Sequence, residues 1–150
     1  MYLENLHLLN FKSWPEADFE FSPKLNCFVG LNASGKTNLL DAIHYLSLTK
    51  SYFSNADTQN IKEGQDFFVI EGTFFRKDKQ EHIHCALKKG QKKLLRKNKK
   101  EYERLSDHIG LFPSVVISPY DRDLITESSE VRRRFMDNVI SQGDNQYLFH

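Results

Sequence analysis

Apolar and polar residues alternate with a period of two near the start of the chain, and this alternation predicts β-strands. Residues 1–12 place apolar side chains at intervals from Tyr2 to Phe11, and residues 17–21 alternate without a break. The Ser-Pro-Lys sequence at residues 22–24 has the composition of a turn. We therefore expect two short N-terminal strands in an antiparallel meander, followed by a turn.

A second group of strand patterns occupies the middle of the chain. Residues 67–75 are rich in aromatic and β-branched side chains, residues 82–87 follow a charged turn, and residues 93–96 follow a turn that contains glycine. These segments predict a hairpin with a third antiparallel strand. Residues 50–65 are polar without a readable period, which predicts an irregular loop, and residues 102–109 are expected to form a short helix or turn.

Two short apolar runs and two helical patterns complete the prediction. Residues 27–29 and residues 115–117 are uniformly apolar, as strands in the core of a parallel sheet are. One helix is predicted after the first run, and another is predicted to open at Ser128 and to end near Gly143. Their apolar stripes are Leu39, Leu40, Ile43 and Leu46 in the first helix, and Val131, Phe135, Val139 and Ile140 in the second.

The first apolar run leads into a G-x-x-x-x-G-K-[ST] motif from Gly30 to Thr37, which we call the P-loop. A strand before this motif and a helix after it are the context in which it binds a triphosphate. Gly30 and Gly35 let the backbone curl so that successive N–H groups point inward, and the helix N-terminus adds partial positive charge. Lys36 can reach the β- and γ-phosphates, and the Thr37 hydroxyl is placed to bind Mg²⁺.

Composition excludes some classes of protein. With 39% apolar and 27% charged residues, the chain has the balance of a globular protein, and 150 residues suffice for one domain with a core. The sequence has neither a basic leader nor a run of 18 apolar residues, so a cytoplasmic location is expected. Cys27 and Cys85 stand in apolar strand patterns and are expected in the core, rather than in a disulfide or a metal site. His82 and His84 can share one strand face, but without a third ligand nearby we expect surface histidines rather than metal ligands.

The net charge of +1 hides an uneven distribution. Eight basic residues and no acid lie between residues 88 and 100, and removing these eight from the 21 basic residues leaves 13 against 20 acidic ones. A basic hairpin could neutralise several DNA phosphates and give salt-sensitive, sequence-independent affinity. Equally, the lysines could keep an exposed sheet edge soluble. The eight residues of this basic cluster are Lys88, Lys89, Lys92, Lys93, Arg96, Lys97, Lys99 and Lys100.

Three parts of the sequence together resemble the RecF family. They are residues 8–13 (Leu-Leu-Asn-Phe-Lys-Ser), residues 30–43 around the P-loop, and residues 117–125 (Ile-Ser-Pro-Tyr-Asp-Arg-Asp-Leu-Ile) with the Arg-Arg-Arg-Phe-Met-Asp sequence at 132–137. The P-loop alone would indicate only an ABC- or SMC-like ATPase, whereas the third part makes RecF specific. RecF is a bacterial recombination mediator, and the resemblance covers essentially all of the chain.

The resemblance implies an α/β fold: a P-loop NTPase with an ABC-ATPase-like head, here incomplete. Residues 1 to about 118 would form the lobe with the P-loop and an antiparallel β-subdomain, and residues from about 119 to 150 would begin the helical lobe II. In the family, ATP clamps two heads into a homodimer that binds single-stranded, gapped or junction DNA. The resemblance also implies RecO and RecR as partners in loading recombinase onto single-stranded DNA.

By position, the resemblance assigns ATP and Mg²⁺ to the P-loop. It also implies that Lys12 lies near the nucleotide, although Lys12 could equally be a plain surface lysine. The nucleotide-binding residues would be Lys12, Gly30, Asn32, Ala33, Ser34, Gly35, Lys36, Thr37 and Asn38, with Thr37 on Mg²⁺.

The segment at residues 118–123 stands where related ATPases have a glutamine loop that links the lobes and senses the γ-phosphate. No glutamine stands there, so Asp121 and Asp123 are either sensors of Mg²⁺ or water, or turn residues after a proline. Arg132, Arg133 and Arg134 point three ways round a helix, so at least one of them is expected to be only solvated.

Family members continue into a signature motif rich in serine and glycine and into a Walker B strand, and residues 142–150 supply neither. Hydrolysis needs carboxylates that hold Mg²⁺ and polarise water. We therefore expect a fragment or truncated product that binds ATP without hydrolysing it, and the leading hypothesis is an ATP- and DNA-binding protein of recombinational repair. The alternative is an isolated P-loop module that only binds nucleotide. A small-molecule kinase is disfavoured, because the strands around the loop are antiparallel.

Overall fold

The computed structural model describes residues 1–126, 128–144 and 147, with the side chains of Tyr120 and Asp123 outside that description. Its centre is a six-stranded antiparallel sheet with the strand order β2-β1-β3-β4-β5-β6. The strands are β1 (Tyr2–Phe11), β2 (Trp14–Glu20), β3 (Phe67–Arg76), β4 (Lys79–Lys88), β5 (Leu94–Lys97) and β6 (Lys100–Glu101). The two N-terminal strands, the hairpin and the third antiparallel strand are thus confirmed, and β6 is an addition.

Three α-helices accompany the sheet: α1 (Lys36–Leu48), α2 (Asp123–Thr126) and α3 (Ser129–Gly143). Short 3₁₀ turns lie at Asp57–Asn60, Leu105–Asp107 and Pro119–Arg122. The helix after the P-loop and the helix that ends at Gly143 are confirmed. None of the helices in the described part of the chain has the length and apolarity needed to cross a membrane.

Helix α1 packs across the inner face of the sheet. Strand alternation turns the buried side chains of β1, β3 and β4 toward this face, and α1 buries Leu39 and Leu46 against them. Leu40, which was predicted in the same apolar stripe, is instead 45% exposed because it lies on the side of the helix away from the sheet. Gly72 in β3 allows the close approach, because a Cβ there would lie 2.5 Å from Leu46 Cδ1. The core residues of the strands are Leu6, Leu8, Phe68, Ile70, Phe74, Ile83, Cys85 and Leu87.

Three fully buried rings, which we call the aromatic triad, fill the centre of this interface: Phe11 from β1, Tyr45 from α1 and Phe68 from β3. Their ring centroids lie 5.3–6.1 Å apart in edge-to-face pairs. Such geometry adds to the stabilisation from burial. The Tyr45 hydroxyl donates to Asp57 Oδ1 at 2.6 Å, and burial together with this carboxylate raises the pKa of Tyr45 well above its ordinary value. The hydroxyl therefore stays protonated.

The outer face of the sheet carries a row of polar side chains in direct register across all six strands. His7 Nδ1 contacts Asp18 Oδ1 at 2.8 Å and His84 Nδ1 contacts Glu71 Oε1 at 2.6 Å. Polar pairs of this kind on neighbouring strands stabilise a sheet modestly. His82 and His84 lie on this outer face, as predicted. The row consists of Asp18, His7, Glu71, His84, Arg96 and Glu101.

The prediction of two further strands in the core was wrong. Residues 27–29 and 115–117 belong to no strand of the described chain, and Val29 and Ile117 are 90% and 87% exposed. An apolar run becomes a buried strand only where neighbours pair its backbone and cover its side chains; no described strand does so here. Cys27 is accordingly exposed, against prediction, whereas Cys85 is buried as predicted, and burial raises the pKa of its thiol to about 12.

Helix α3 exposes much of its predicted apolar stripe. Phe135, Val139 and Ile140 remain between 38% and 50% exposed, whereas Val131 is better covered. The reason is that α3 lies against α2 and against the loop that follows α1, which together do not span its whole apolar side. The residues after Gly143 other than Asp144 and Tyr147 lie outside the described chain, so the expectation that another element begins there stays a prediction.

The aromatic triad predicts a contrast between two adjacent phenylalanines of β3. Phe68→Ala should lower the free energy of unfolding by about 3–5 kcal/mol, because it leaves a cavity in the centre of the core. Phe67→Ala should cost about 1 kcal/mol or less, because Phe67 is 37% exposed on the other face. Urea unfolding followed by circular dichroism measures both. Equal losses would contradict the assignment of the inner face as the core.

Candidate functional site

The P-loop is a curled segment up to Gly35, and its last two residues, Lys36 and Thr37, are the first residues of α1. Ala33 and Gly35 both adopt left-handed backbone conformations, with φ of 64° and 92°. The N–H groups in the first turn of a helix have no intrahelical acceptor, and the helix dipole makes this end partially positive. The backbone therefore offers several donors to an anion at one place.

The Lys36 side chain folds back over the P-loop. Its ammonium group donates to the Gly30 and Leu31 carbonyls at 2.8 and 2.6 Å and to Ser34 Oγ at 3.3 Å. A cation is thus held inside the curl by neutral oxygens, and charged phosphate oxygens would be stronger partners for it. Chemically, the arrangement is suited to capture of a phosphate group.

Two residues support the P-loop: Ser13 in the β1–β2 turn and Trp14, the first residue of β2. The Trp14 indole N–H donates to the Gly35 carbonyl at 3.3 Å, and Ser13 Oγ accepts from the Asn38 side-chain amide at 2.8 Å. A Cβ on Gly35 would lie 2.9 Å from Trp14 Cε2 and from Ser13 Oγ. Gly35 is therefore required both by its backbone angle and by this contact. Motif matching missed both supporting residues, although Ser13 ends one of the RecF-like parts and Trp14 is the only tryptophan in the chain.

The remaining P-loop residues lie where a nucleotide can reach them. Asn32, Ala33, Ser34 and Thr37 are exposed around the curl. The described residues contain no group of three His, Cys, Asp or Glu side chains that could hold a metal ion by themselves. Thr37 supplies one hydroxyl oxygen, so Mg²⁺ at this place would depend on phosphate oxygens and water for its other ligands.

Lys12 is largely buried beside α1 rather than exposed on the surface. Its ammonium group lies 2.5 Å from Asp41 Oδ2, and the Asp41 side chain is fully buried. Asp41 also accepts from Ser51 Oγ at 2.6 Å and from the Tyr52 backbone N–H at 2.7 Å. The pair therefore joins the end of β1 to the middle of α1, and a direct role for Lys12 at the nucleotide stays a prediction.

The basic cluster is divided between paired, partly buried positions and exposed ones. Lys93 is internal: its ammonium contacts Asp57 Oδ2 at 2.7 Å and the Thr49 carbonyl, and lies 4.9 Å from the centre of the Tyr45 ring. Lys97 pairs with Glu81 at 3.3 Å. The exposed members of the cluster are Lys88, Lys89, Lys92, Arg96, Lys99 and Lys100.

The charged residues between residues 121 and 134 that the sequence analysis singled out have specific surroundings. Asp121 accepts from the Tyr52 hydroxyl and from the Ser118 N–H. Arg132 donates to the Leu124 carbonyl at 3.2 Å, and Arg134 lies 3.4 Å from Glu130 on an exposed helix face. Arg133 is exposed. The Asp123 side chain lies outside the described residues, so its proposed sensor role stays a prediction.

The fold and the P-loop place the molecule in a known class. The model of the AAA domain matches residues 5–147, and the chain belongs to this family. The predicted α/β class of P-loop NTPase, an ABC-ATPase-like head with an antiparallel β-subdomain, is confirmed. A solved structure from work on the ATP-driven dimerization of SMC ATPases is similar in fold. It superimposes with a TM-score of 0.72 at 20% identity, over 93% of this chain and 99% of that chain.

Within this class, the resemblance to the N-terminal part of RecF is confirmed. The DNA replication and repair protein RecF of Flavobacterium johnsoniae is 57% identical over 148 residues, and that of Phocaeicola vulgatus is 53% identical over 150. A structure of the recombination mediator RecF with ATP superimposes with a TM-score of 0.92 at 30% identity, over 99% of this chain and 41% of that one. The chain itself spans about 40% of the length of these two RecF sequences.

The contact between Trp14 and the P-loop predicts a difference between two glycines with similar backbone angles. Gly90→Ala should cost about 1–2 kcal/mol of unfolding free energy, because φ is +75° and the surrounding space is open. Gly35→Ala should cost at least about 1 kcal/mol more, since the new methyl group displaces Trp14. Unfolding curves measure the costs, and Trp14 fluorescence reports the displacement. Equal costs with unchanged fluorescence would show that Trp14 does not rest on Gly35.

Proposed function

We propose that this chain binds ATP together with Mg²⁺ at the P-loop, as part of a RecF-type protein of recombinational DNA repair. The observation that carries the proposal is the Lys36 ammonium group, held inside the curl by the Gly30 and Leu31 carbonyls. Phosphate oxygens can replace these carbonyls without moving the lysine away from the loop. The donor set fits a triphosphate, because the cation, the helix N-terminus and the exposed Thr37 hydroxyl meet at one place.

Each residue has a distinct part in this proposal. Lys36 binds the β- and γ-phosphates, the backbone N–H groups from Ala33 to Asn38 orient them, and Thr37 holds the metal. Mg²⁺, when bound, neutralises part of the phosphate charge. Asn32 and Ser34 border the curl and complete its polar rim. Trp14 and Ser13 anchor the end of the loop through their contacts to Gly35 and Asn38.

Binding without turnover is proposed for this chain when it is tested alone. Asp41 is the first carboxylate of α1, and its oxygens already accept from Lys12, Ser51 and Tyr52 in a fully buried environment. A carboxylate committed in this way does not polarise an attacking water. Hydrolysis in the family depends on carboxylates from other motifs, which residues 142–150 do not supply.

The wider role follows from the family and is part of the same proposal. The protein would bind single-stranded, gapped or junction DNA, form an ATP-dependent homodimer and act with RecO and RecR in the cytoplasm. In support, six members of the basic cluster present their charges to solvent. The alternative is a nucleotide-binding module without DNA affinity, and the internal pairing of Lys93 and Lys97 favours it because it removes two cations from the candidate surface.

Lys36→Ala tests nucleotide binding. Calorimetric titration with ATP and Mg²⁺ should show a dissociation constant at least about tenfold higher than that of the unmodified chain, because charge-assisted hydrogen bonds contribute about 1.5–3 kcal/mol. Lys24→Ala, which removes an exposed lysine from the turn before the loop, should leave the constant unchanged. ATP turnover by the unmodified chain should stay at background. Unchanged affinity in Lys36→Ala, or robust turnover, would contradict the proposal.

Charge removal tests the DNA surface. Replacing Lys88, Lys92 and Lys99 with Gln should weaken DNA binding and reduce the salt dependence of the logarithm of the binding constant, by up to about 0.9 for each duplex phosphate that the protein no longer neutralises. Replacing the exposed Lys24, Lys77 and Lys79 with Gln removes the same charge outside the cluster and should have a smaller effect. Fluorescence anisotropy at several salt concentrations measures both. Equal effects of the two triple variants would contradict the basic cluster as the DNA surface, and an absence of DNA binding by the unmodified chain would favour the nucleotide-only alternative.

A further inference from the structure

A continuous series of polar contacts leads from the support of the P-loop to the segment at residues 118–122. We call its side chains the relay: Lys12, Asp41, Ser51, Tyr52 and Asp121. We infer that Tyr52 and Asp121 are positioning residues that transmit the state of the P-loop to residues 118–122. The inference rests on the proposed ATP binding and adds to it a path by which a second part of the molecule responds to nucleotide.

The relay starts at the two structures that hold the P-loop. Lys12 directly precedes Ser13 and Trp14, which contact Asn38 and Gly35. Asp41 lies on α1, little more than one turn after Lys36. A movement of the β1–β2 turn or of the start of α1 therefore reaches the Lys12–Asp41 pair. Because this pair is largely buried and charge-assisted, it follows such movement rather than exchanging its partners for water.

The second step runs from Asp41 to the backbone after α1. One carboxylate oxygen accepts from Ser51 Oγ and the other from the Tyr52 N–H, at 2.6 and 2.7 Å. Ser51 Oγ accepts in turn from the Phe53 and Ser54 N–H groups at 3.1 and 2.9 Å. Four hydrogen bonds thus fix residues 51–54 to Asp41, so a shift of Asp41 displaces this turn as a unit.

The third step crosses to residues 118–122 through the Tyr52 side chain. Its hydroxyl donates to Asp121 Oδ1, and Asp121 Oδ2 accepts from the Ser118 N–H at 2.6 Å. The Tyr52 ring rests edge-on against His44, with centroids 5.6 Å apart. His44, Tyr52 and Asp121 border a cavity of about 460 Å³ that α3 also lines, which leaves the tyrosine room to move. The position of the Tyr52 hydroxyl therefore sets the position of Asp121.

The P-loop provides the two states that such a relay needs. Lys36 contacts either the Gly30 and Leu31 carbonyls, as in this structure, or the phosphates of a nucleotide. When Lys36 leaves the two carbonyls, the loop can adjust on both sides of Gly35. The Gly35 carbonyl accepts a hydrogen bond from Trp14, so this adjustment reaches Trp14. Two sites can be coupled in this way only if an element between them has two arrangements, and if the state of each site favours one arrangement over the other. Lys36 with its alternative partners is that element.

Amide hydrogen exchange with and without ATP and Mg²⁺ tests the inference in the full chain. In the unmodified protein, ATP should change the exchange rate at residues 118–122 by about fivefold or more, the lower end of typical coupling between sites. Tyr52→Phe removes only the hydroxyl and should reduce this response below about twofold while ATP still binds by calorimetry. Asp121→Asn should have the same effect, and combining the two should add nothing further.

Tyr2→Phe is the matched control, because it also removes a hydroxyl that donates to a carboxylate, that of Glu4, on β1 away from the relay. Its response to ATP should equal that of the unmodified chain. An intact response in Tyr52→Phe, an equal loss in Tyr2→Phe, or no response in the unmodified chain despite ATP binding would overturn the relay and leave the proposed function standing. A failure of the unmodified chain to bind ATP would overturn both.

Discussion

Docking of α1 on the inner face of the antiparallel sheet is the constraint on which the rest of the structure depends. The first residue of this helix, Lys36, can present its charge to a phosphate only if the helix is held at a fixed height and angle. Gly72 sets the distance between α1 and the sheet, because the absence of a side chain there leaves space for Leu46. The aromatic triad fills the interface around this contact. At the N-terminal end, Trp14 rests on Gly35 and joins the same sheet to the loop itself. The phosphate site is thus an extension of the core.

Local patterns allowed much of this to be predicted. The P-loop, α1 and the long antiparallel strands follow from a motif and from alternation over a few residues, which are properties of short segments. The contacts that support the site do not follow from such local patterns. Lys12 and Asp41, or Trp14 and Gly35, come together only when the sheet brings distant segments side by side. No spacing in the sequence encodes such pairs.

The wrong predictions have a related cause. Apolar composition shows that residues 27–29 and 115–117 are suited to burial, but burial depends on strands beside them, and the described chain has none there. In the same way, the count of lysines in the basic cluster could not show that Lys93 and Lys97 would pair with Asp57 and Glu81. Composition is a property of the segment alone, whereas the exposure of its side chains depends on which other parts of the chain pack against it.

The exchange of partners at Lys36 is tested most directly by the NMR resonance of the Trp14 indole N–H, the only such group in the chain. This N–H group donates a hydrogen bond to the Gly35 carbonyl, which lies next to Lys36 in the P-loop. Titration with ATP and Mg²⁺ should shift the resonance and saturate at the concentration at which binding saturates, and Lys36→Ala should abolish the shift. An indole resonance that stays in place while ATP binds fully would contradict the proposed rearrangement of the P-loop.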